Sequence, residues 1–197
     1  MTRQRYLHKV ILNDLKEKMV FIGGPRQVGK TTMANFIGEK EYENKMYLNW
    51  DFREDRKKIL SGEFESQAKL LIFDEIHKYK QWKNYIKGEF DKYKNKFHII
   101  VTGSARLDTY RKGGDSLMGR YHYYKLHPFS LAEAMGNKSN IKIFKEPVLS
   151  TNKNTRHVFE QLFKFGGFPE PFIKQNEKTL RRWQNERLDR FIKEDIR

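Results

Sequence analysis

The chain alternates between short apolar runs and longer segments whose apolar residues recur every three or four positions. The short runs predict five β-strands, at residues 19–22, 46–49, 70–74, 98–102 and 121–126. The run LLIFD at residues 70–74 is apolar up to its acidic end, which is typical of a strand buried on both faces. Strands that alternate with helical segments predict an α/β fold, in which helices cover both faces of a parallel sheet.

Helical spacing is clearest in two segments between these strands. Met33, Phe36 and Ile37 lie three and four positions apart, so an amphipathic helix is predicted after the first strand. Between residues 81 and 96, one face of a second helix carries the apolar side chains of Trp82, Tyr85, Ile86, Phe90 and Tyr93. We expect both apolar faces to lie in the protein core.

The character of the chain changes after about Gly136, where a polar connecting segment begins. Residues 156–172 then predict a helix that ends at Gly166 and its neighbouring glycine. Pro169 and Pro171 follow these glycines, and we expect them to prevent the helix from continuing. This part of the chain is therefore predicted to be a small helical appendage to the sheet.

The last predicted helix runs to the end of the given sequence. Its apolar residues recur at helical spacing and include Trp183, Phe191 and Ile192. An apolar face of this kind must be covered, so we expect the helix to dock on the rest of the appendage or to drive self-association.

A glycine-rich motif lies between the first predicted strand and the first predicted helix. Residues 23–32 read GGPRQVGKTT, which matches the P-loop, or Walker A, pattern. Glycines let backbone N–H groups surround a phosphate, and the N-terminus of the next helix adds positive potential. In this pattern the lysine reaches the β- and γ-phosphates, and the first threonine binds Mg²⁺. We expect the nucleotide to be bound by Gly24, Pro25, Arg26, Gln27, Val28, Gly29, Lys30, Thr31 and Thr32.

Two consecutive carboxylates end the third predicted strand, as in a Walker B motif. Asp74 is placed to hold Mg²⁺ together with Thr31. Glu75 leaves the strand in a different direction, and we predict that it acts as a general base on a water molecule. This pair favours hydrolysis of a nucleoside triphosphate. The alternative is that both carboxylates only cap the strand or the next helix.

The next strand also ends in small hydroxyl side chains, Thr102 and Ser104. If this strand lies between the other two, either hydroxyl could sense the γ-phosphate and orient the water. The alternative for both residues is the ordinary chemistry of a Thr-Gly-Ser turn.

Five segments, in this order, resemble the AAA+-type ATPases of bacteria and archaea, which are similar in arrangement to signal-transducing P-loop ATPases. They read GPRQVGKTT, LLIFDEIHKYKQWKNYIKGEFD, IIVTGSARL, GRYHYYKLHPFSLAE and GGFPEP. The resemblance implies a P-loop NTPase of the AAA+ (ASCE) type, a three-layer sandwich whose parallel five-stranded sheet has the order 5-1-4-3-2. It also implies a core at residues 1–135 and, at residues 136–197, a helical lid with the start of a linker. The linker would lead to a further C-terminal domain that this chain lacks.

The same resemblance gives expectations for two further parts of the chain. Arg120 would be an arginine finger that reaches the γ-phosphate of a neighbouring subunit, which implies a homo-oligomer formed through this edge. Arg106 is the second candidate, and a surface pair of Arg120 with Asp115 or Glu133 is the alternative. The adenine would be recognised around residues 5–7, Arg-Tyr-Leu, and by the lid.

Composition narrows the partners and the compartment. The chain contains no cysteine, which excludes disulfides and thiolate metal sites, and it has no run of 18 apolar residues that would span a membrane. We therefore expect a cytoplasmic protein. The net charge of +15 allows nucleic acid as a partner, although a lysine-rich solvated surface is the simpler explanation. His77 has no histidine at metal-ligand spacing, so we expect a structural or surface role for it.

The interpretation that these motifs favour is Mg²⁺-dependent binding and hydrolysis of ATP. GTP is disfavoured, because each Asn-Lys pair in the chain lacks the aspartate that guanine recognition uses. Two alternatives stay open: an ATP-dependent molecular switch with slow turnover, and an ATPase that binds nucleic acid.

Overall fold

The computed structural model describes residues 4–103, 107, 117–136 and 153–190. The chain divides into two compact units, Met1–His127 and Pro128–Arg197. The division falls directly after the last strand of the sheet, whereas the sequence-based boundary at residues 135 and 136 was placed after the following helical turn. That functional boundary between core and lid stays a prediction.

Five parallel strands form the sheet of the first unit, in the order β2-β3-β4-β1-β5. The strands are β1 (Met19–Gly23), β2 (Lys45–Asn49), β3 (Leu70–Asp74), β4 (His98–Thr102) and β5 (Tyr121–Lys125). The described residues of this unit include the helices α1 (His8–Asp14), α2 (Lys30–Glu41), α3 (Arg53–Ser61) and α4 (Trp82–Tyr93), with a 3-10 turn at Ile76–Lys78. Read from the other edge, this is the order 5-1-4-3-2, so the predicted five-stranded parallel sheet and its strand order are confirmed.

Side chains alternate between the two faces of each strand, and each face has its own helices. On one face, Leu71 and Phe73 of β3 join a buried cluster with Trp82 and Ile86 of α4. The alternate residues of β3 point to the opposite face, which α2 covers, and Leu70 there lies beside Gly38 of this helix. All five residues of β3 are buried, as the apolar run predicted.

The aromatic residues of α4 belong to the core. Tyr85, Phe90 and Tyr93 are partly buried against the same cluster, and the Tyr85 hydroxyl donates a hydrogen bond of 2.5 Å to the carbonyl oxygen of Ile59. These rings are therefore not a free surface on which nucleic acid bases could stack.

The second unit contains four helices within its described residues. They are α5 (Leu131–Ala134), α6 (Lys153–Phe165), α7 (Pro169–Lys174) and α8 (Glu177–Arg190). Gly166 follows α6 with a φ of +74°, as expected for a glycine that terminates a helix. Helix α6 ends at Phe165 and does not continue through Pro169, as expected. Pro169 instead begins the separate helix α7, because proline is well tolerated at the first position of a helix.

The expected apolar face of the last helix is partly covered within this unit. Trp183 is only 9% exposed, and its ring lies 5.0 Å from that of Phe168. The guanidinium of Arg187 lies 4.0 Å from the centre of the Phe168 ring. Trp183 is therefore covered by docking against Phe168 within this unit. Phe191 and Ile192, the other residues of the expected apolar face, lie outside the described residues. In the described part of the chain, no helix combines the length and the apolar character needed to cross a membrane.

Candidate functional site

The glycine-rich loop joins the end of β1 to the start of α2. Gly24 has a φ of +136° and Gly29 a φ of +93°, conformations that other residues rarely adopt. A Cβ atom on Gly24 would also lie 2.4 Å from the carbonyl oxygen of Leu126, so this position has no room for a side chain. The first glycine of the motif is therefore required by packing against the end of β5 as well as by the turn.

The other loop residues surround this turn. Val28 is buried and Pro25 is half-buried, whereas Arg26, Gln27 and Thr32 are exposed to solvent. Gln27 is one of the few residues other than glycine with a positive φ, at +63°. The exposed side chains are accessible to a ligand at the loop, and their predicted contacts with a nucleotide stay predictions.

The ammonium group of Lys30 is buried at the loop. Its Nζ atom donates hydrogen bonds of 3.0 Å to the carbonyl oxygen of Gly24 and 2.8 Å to that of Pro25. Burial lowers the pKa of Lys30, while the negative charges of Glu75 and Asp74 act in the opposite direction. The lysine is thus held at the loop by neutral carbonyls, in the field of the two acidic residues.

Asp74 is the centre of a hydroxyl cluster. The Oδ2 atom of this buried carboxylate accepts hydrogen bonds from the Thr31 hydroxyl at 2.8 Å and the Tyr47 hydroxyl at 2.7 Å. Its Oδ1 atom accepts a bond of 2.5 Å from the hydroxyl of Thr102. Three neutral donors therefore satisfy a carboxylate that is only 5% exposed. The predicted pair of Thr31 and Asp74 is brought together, and two hard oxygen ligands converge as Mg²⁺ requires.

Tyr47 is a member of this cluster that the sequence analysis missed. It lies in β2, which pairs with β3, and the alternation of side chains points it to the same face as Asp74. Burial and the hydrogen bond to Asp74 raise the pKa of Tyr47, so the phenol stays a donor. The polar tyrosine between the buried Met46 and Leu48 was the available signal.

Thr102 is one of the two residues that the sequence analysis named as candidates for sensing the γ-phosphate. Strand β4 runs between β1 and β3, and Thr102 is directly opposite Asp74 in the register of the sheet. Its side chain is completely buried and donates to Asp74. The hydroxyl of Thr102 therefore contacts the carboxylate of Asp74, and its role in sensing the γ-phosphate stays a prediction. Ser104, the other candidate, lies outside the described residues.

Glu75 leaves the sheet in a left-handed conformation, with a φ of +56°. Its amide donates a hydrogen bond of 3.0 Å to the carbonyl oxygen of Thr102. Its Oε2 atom lies 3.5 Å from Nζ of Lys78 and 3.7 Å from Nε2 of His77. His77 is buried, so of its two expected roles the structural one applies.

The N-terminal segment, expected near the adenine, contacts the back of the loop. The guanidinium of Arg5 donates 3.0 Å to the carbonyl oxygen of Val28 and 2.6 Å to that of His127. The Tyr6 hydroxyl donates 3.0 Å to the carbonyl oxygen of Lys125. Leu7 is buried. These contacts place the segment beside the loop and the end of β5, and recognition of adenine stays a prediction.

Arg120 lies at the end of the strands opposite to the loop. It precedes β5, and its carbonyl oxygen accepts a hydrogen bond of 3.0 Å from the amide of Met19, where β1 begins. The five residues of β5 separate this end of the strands from the end that carries the loop, a distance of roughly 15 Å at about 3.3 Å per residue. The geometry therefore opposes action of Arg120 on a nucleotide held by its own chain.

The side chain of Arg120 forms a two-pronged ion pair. Its Nε and Nη2 atoms lie 2.8 and 3.1 Å from the carboxylate oxygens of Asp91 on α4. This partner corrects the sequence-based alternative, which paired the arginine with Asp115 or Glu133. The guanidinium lowers the pKa of Asp91 through this hydrogen bond. Asp115 and the second finger candidate, Arg106, lie outside the described residues.

Comparisons with known sequences found a matching family model and a curated relative. The family model described as "AAA domain" matches residues 16–135, which include the loop, the acidic pair and Arg120. An uncharacterized protein of Methanocaldococcus jannaschii, MJ1544, is 26% identical over 204 residues, which cover 95% of this chain and 45% of the relative. The chain thus spans less than half the length of this curated relative.

Several solved structures are similar to this chain at low identity. The RuvB Holliday junction branch migration motor of Thermotoga maritima is 20% identical, with a TM-score of 0.41, over 66% of this chain and 46% of that one. PCH-2 of C. elegans is 12% identical, with a TM-score of 0.43, over 88% and 59%. The Hsp104–ADP complex of S. cerevisiae is 13% identical, with a TM-score of 0.45, over 66% and 22%. Similarities this distant carry no argument about function.

Proposed function

The chain belongs to the AAA domain family, and from this premise we propose that it binds Mg²⁺·ATP and hydrolyses the bond to the γ-phosphate. One observation carries the proposal. The hydroxyl of Thr31, which follows the loop lysine, lies 2.8 Å from the buried carboxylate of Asp74. A hydroxyl and a carboxylate in contact beside a phosphate-binding loop are the protein ligands expected for Mg²⁺ on a nucleoside triphosphate.

In this proposal, the loop binds the phosphates through its backbone and through the lysine that follows it. The backbone of Gly24–Gly29 and the N-terminus of α2 supply N–H donors and positive potential. Lys30 is charged and buried, and exchanging its two carbonyl acceptors for phosphate oxygens would pair its charge. The adenine would lie near the segment of Arg5 and Tyr6, which contacts the loop and β5.

The roles of the acidic residues follow from their positions. Bound Mg²⁺ would withdraw charge from the phosphate oxygens during transfer. Asp74 would coordinate the metal through Oδ2, and the hydrogen bond from Thr102 to Oδ1 would keep the carboxylate oriented. Glu75 would accept the proton of the attacking water, because its side chain is 25% exposed at the end of the same strand. Ser104 remains a second candidate for orienting the water.

Two partners follow from further observations. Arg120 lies at the opposite end of the strands from its own loop, so we propose that it serves the nucleotide of a neighbouring copy in a homo-oligomer. The net charge of +15 makes nucleic acid a second candidate partner. If nucleic acid binds, its affinity should fall steeply with salt, because phosphate contacts release counterions.

We expect the ATPase activity to take place in the cytoplasm. A chain without cysteine is consistent with a reducing compartment of this kind.

Calorimetry with Mg²⁺·ATP tests the binding step. Lys30→Ala should weaken binding by about tenfold or more, because a charge-assisted contact with the phosphates is lost. Lys40→Ala is the matched control, since this exposed lysine lies at the other end of α2. Unchanged affinity in a folded Lys30→Ala variant would remove the basis of the proposal.

A further inference from the structure

The segment that follows Glu75 is clamped to the loop after β2. The indole of Trp50 stacks on the ring of Tyr79, with 4.8 Å between ring centres and an angle of 21° between the planes. Beside this stack, Nζ of Lys78 lies 2.5 Å from Oδ2 of Asp51. The two neighbouring contacts hold the 3-10 turn at Ile76–Lys78 against residues 50–51.

Lys78 also contacts the acidic residue three positions before it. Its Nζ atom lies 3.5 Å from Oε2 of Glu75, so one ammonium bridges the carboxylates of Asp51 and Glu75. Burial alone would lower the pKa of Lys78, but the hydrogen bond to Asp51 and the charge of Glu75 outweigh it and raise the pKa. Lys78 is therefore a fixed positive charge beside Glu75.

The backbone makes this bridge specific to Glu75. The left-handed conformation of Glu75 directs the chain into the 3-10 turn, and the turn brings Lys78 back towards the carboxylate. The amide of Lys78 donates 3.1 Å to the carbonyl oxygen of Glu75, which closes the turn. Lys78 and Asp51 are both exposed, and the backbone turn and the aromatic stack give this pair a support that an isolated surface ion pair lacks.

We propose that Lys78, itself held by Asp51, is a positioning residue that fixes Oε2 of Glu75 and leaves Oε1 to accept the proton of the attacking water. This role rests on the proposed hydrolysis of ATP. Without the bridge, the Glu75 side chain would sample several rotamers, and few of them would place an oxygen at the water. The bridge therefore affects the chemical step and not the affinity for ATP.

The kinetic test separates these two effects. In Lys78→Met, kcat for Mg²⁺·ATP should fall by about tenfold to a hundredfold, the loss that follows when a reacting group is misplaced. The Kd of Mg²⁺·ATP should stay within about twofold, because the phosphate loop is untouched. Lys78→Arg should recover most of the rate, and Asp51→Asn should lose an intermediate amount. Lys80→Met is the matched control, an exposed lysine two positions along the chain.

A second measurement tests the clamp without nucleotide. The amides of Lys78 and Tyr79 donate to carbonyl oxygens within the turn, at 3.1 and 2.9 Å. Amide hydrogen exchange at these two positions should be faster in Lys78→Met and Asp51→Asn than in the parent protein or in Lys80→Met. Unchanged exchange in both variants would show that the ion pair does not hold the turn, and it would overturn the proposal.

The outcomes distinguish this proposal from the proposed function. If the parent protein releases no phosphate from Mg²⁺·ATP, hydrolysis itself is refuted and the role of Lys78 falls with it. If the parent hydrolyses ATP and Lys78→Met is equally fast or faster, only the role of Lys78 is refuted. In a Glu75→Gln background, Lys78→Met should cause no further loss of rate, since the lysine acts through that carboxylate. An additional loss in this background would also overturn the proposal.

Discussion

The hydrogen bond from Thr102 to Asp74 allows a quantitative test of the hydroxyl cluster. Thr102→Val replaces the hydroxyl with a methyl group of the same size at a completely buried position. The variant leaves the shape of the core intact. It removes the hydroxyl group that donates a hydrogen bond of 2.5 Å to the Oδ1 atom of Asp74. The perturbation is therefore electrostatic, because no cavity is created.

The expected cost follows from the charge and burial of the acceptor. Asp74 is 5% exposed, and a hydrogen bond to a buried charged group contributes about 1.5–3 kcal/mol. Thr102→Ser keeps the hydroxyl and removes one buried methyl, which costs about 1 kcal/mol. Valine should thus destabilise the protein more than serine does, although its side chain is more apolar and fills the site.

Urea unfolding in a Trp183→Phe background gives the measurement. The chain has three tryptophans, and Trp50 and Trp82 are then the remaining ones, both in the unit Met1–His127. Their fluorescence reports the unfolding of that unit alone. With a slope of about 2 kcal/mol/M, a loss of about 2 kcal/mol lowers the midpoint by roughly 1 M. If the valine variant were as stable as the parent, or more stable than the serine variant, the hydrogen bond would not support Asp74 as the structure indicates.

Three further predictions address other parts of the chain. Tyr47→Phe should raise the Mg²⁺ concentration for half-maximal hydrolysis by about tenfold, since it removes a residue that orients a metal ligand, and a metal titration of the rate measures this. Burial raises the pKa of Glu89 above its ordinary 4.5, so the folded state binds that proton more tightly and loses stability as pH rises from about 4.5 through the raised pKa. Urea midpoints of Glu89→Gln should lack this part of the pH dependence and exceed those of the parent at pH 7. Arg120→Ala and Lys30→Ala, each inactive alone, should recover activity when the two proteins are mixed. Asp91→Asn should stay active. An Asp91→Asn variant as inactive as Arg120→Ala would show that Arg120 serves only the surface pair with Asp91.

The sheet was predictable because its signals are local. Each strand was predicted to within one residue, since apolar runs such as residues 70–74 are continuous and end in turn or acidic residues. The strand order came from the resemblance to AAA+-type ATPases, because apolar runs alone do not specify which strands are neighbours. Pro169 was expected to stop one helix, and the sequence analysis did not foresee that it also begins the next, because proline is well tolerated at the first position of a helix.

The parts of the site that a sequence motif defines by its spacing were predictable. The parts in which tertiary contacts determine the partner of a side chain were not. The loop and the acidic pair have defined patterns, and the structure brings Thr31 and Asp74 together. The contact of Lys78 with Asp51 joins residues 27 positions apart, and that of Arg120 with Asp91 joins residues 29 apart. No periodicity connects such pairs, because they meet only after the strands and helices have packed.

Single-turnover phosphate release by the parent protein and by Glu75→Gln tests the central claim most directly. Glutamine has the size of glutamate but cannot accept the proton of the water at this step. The parent should release phosphate from Mg²⁺·ATP, and Glu75→Gln should bind Mg²⁺·ATP with similar affinity and release phosphate at least about 10²-fold more slowly. Release at the parent rate by Glu75→Gln, or binding without any release by the parent, would contradict the account.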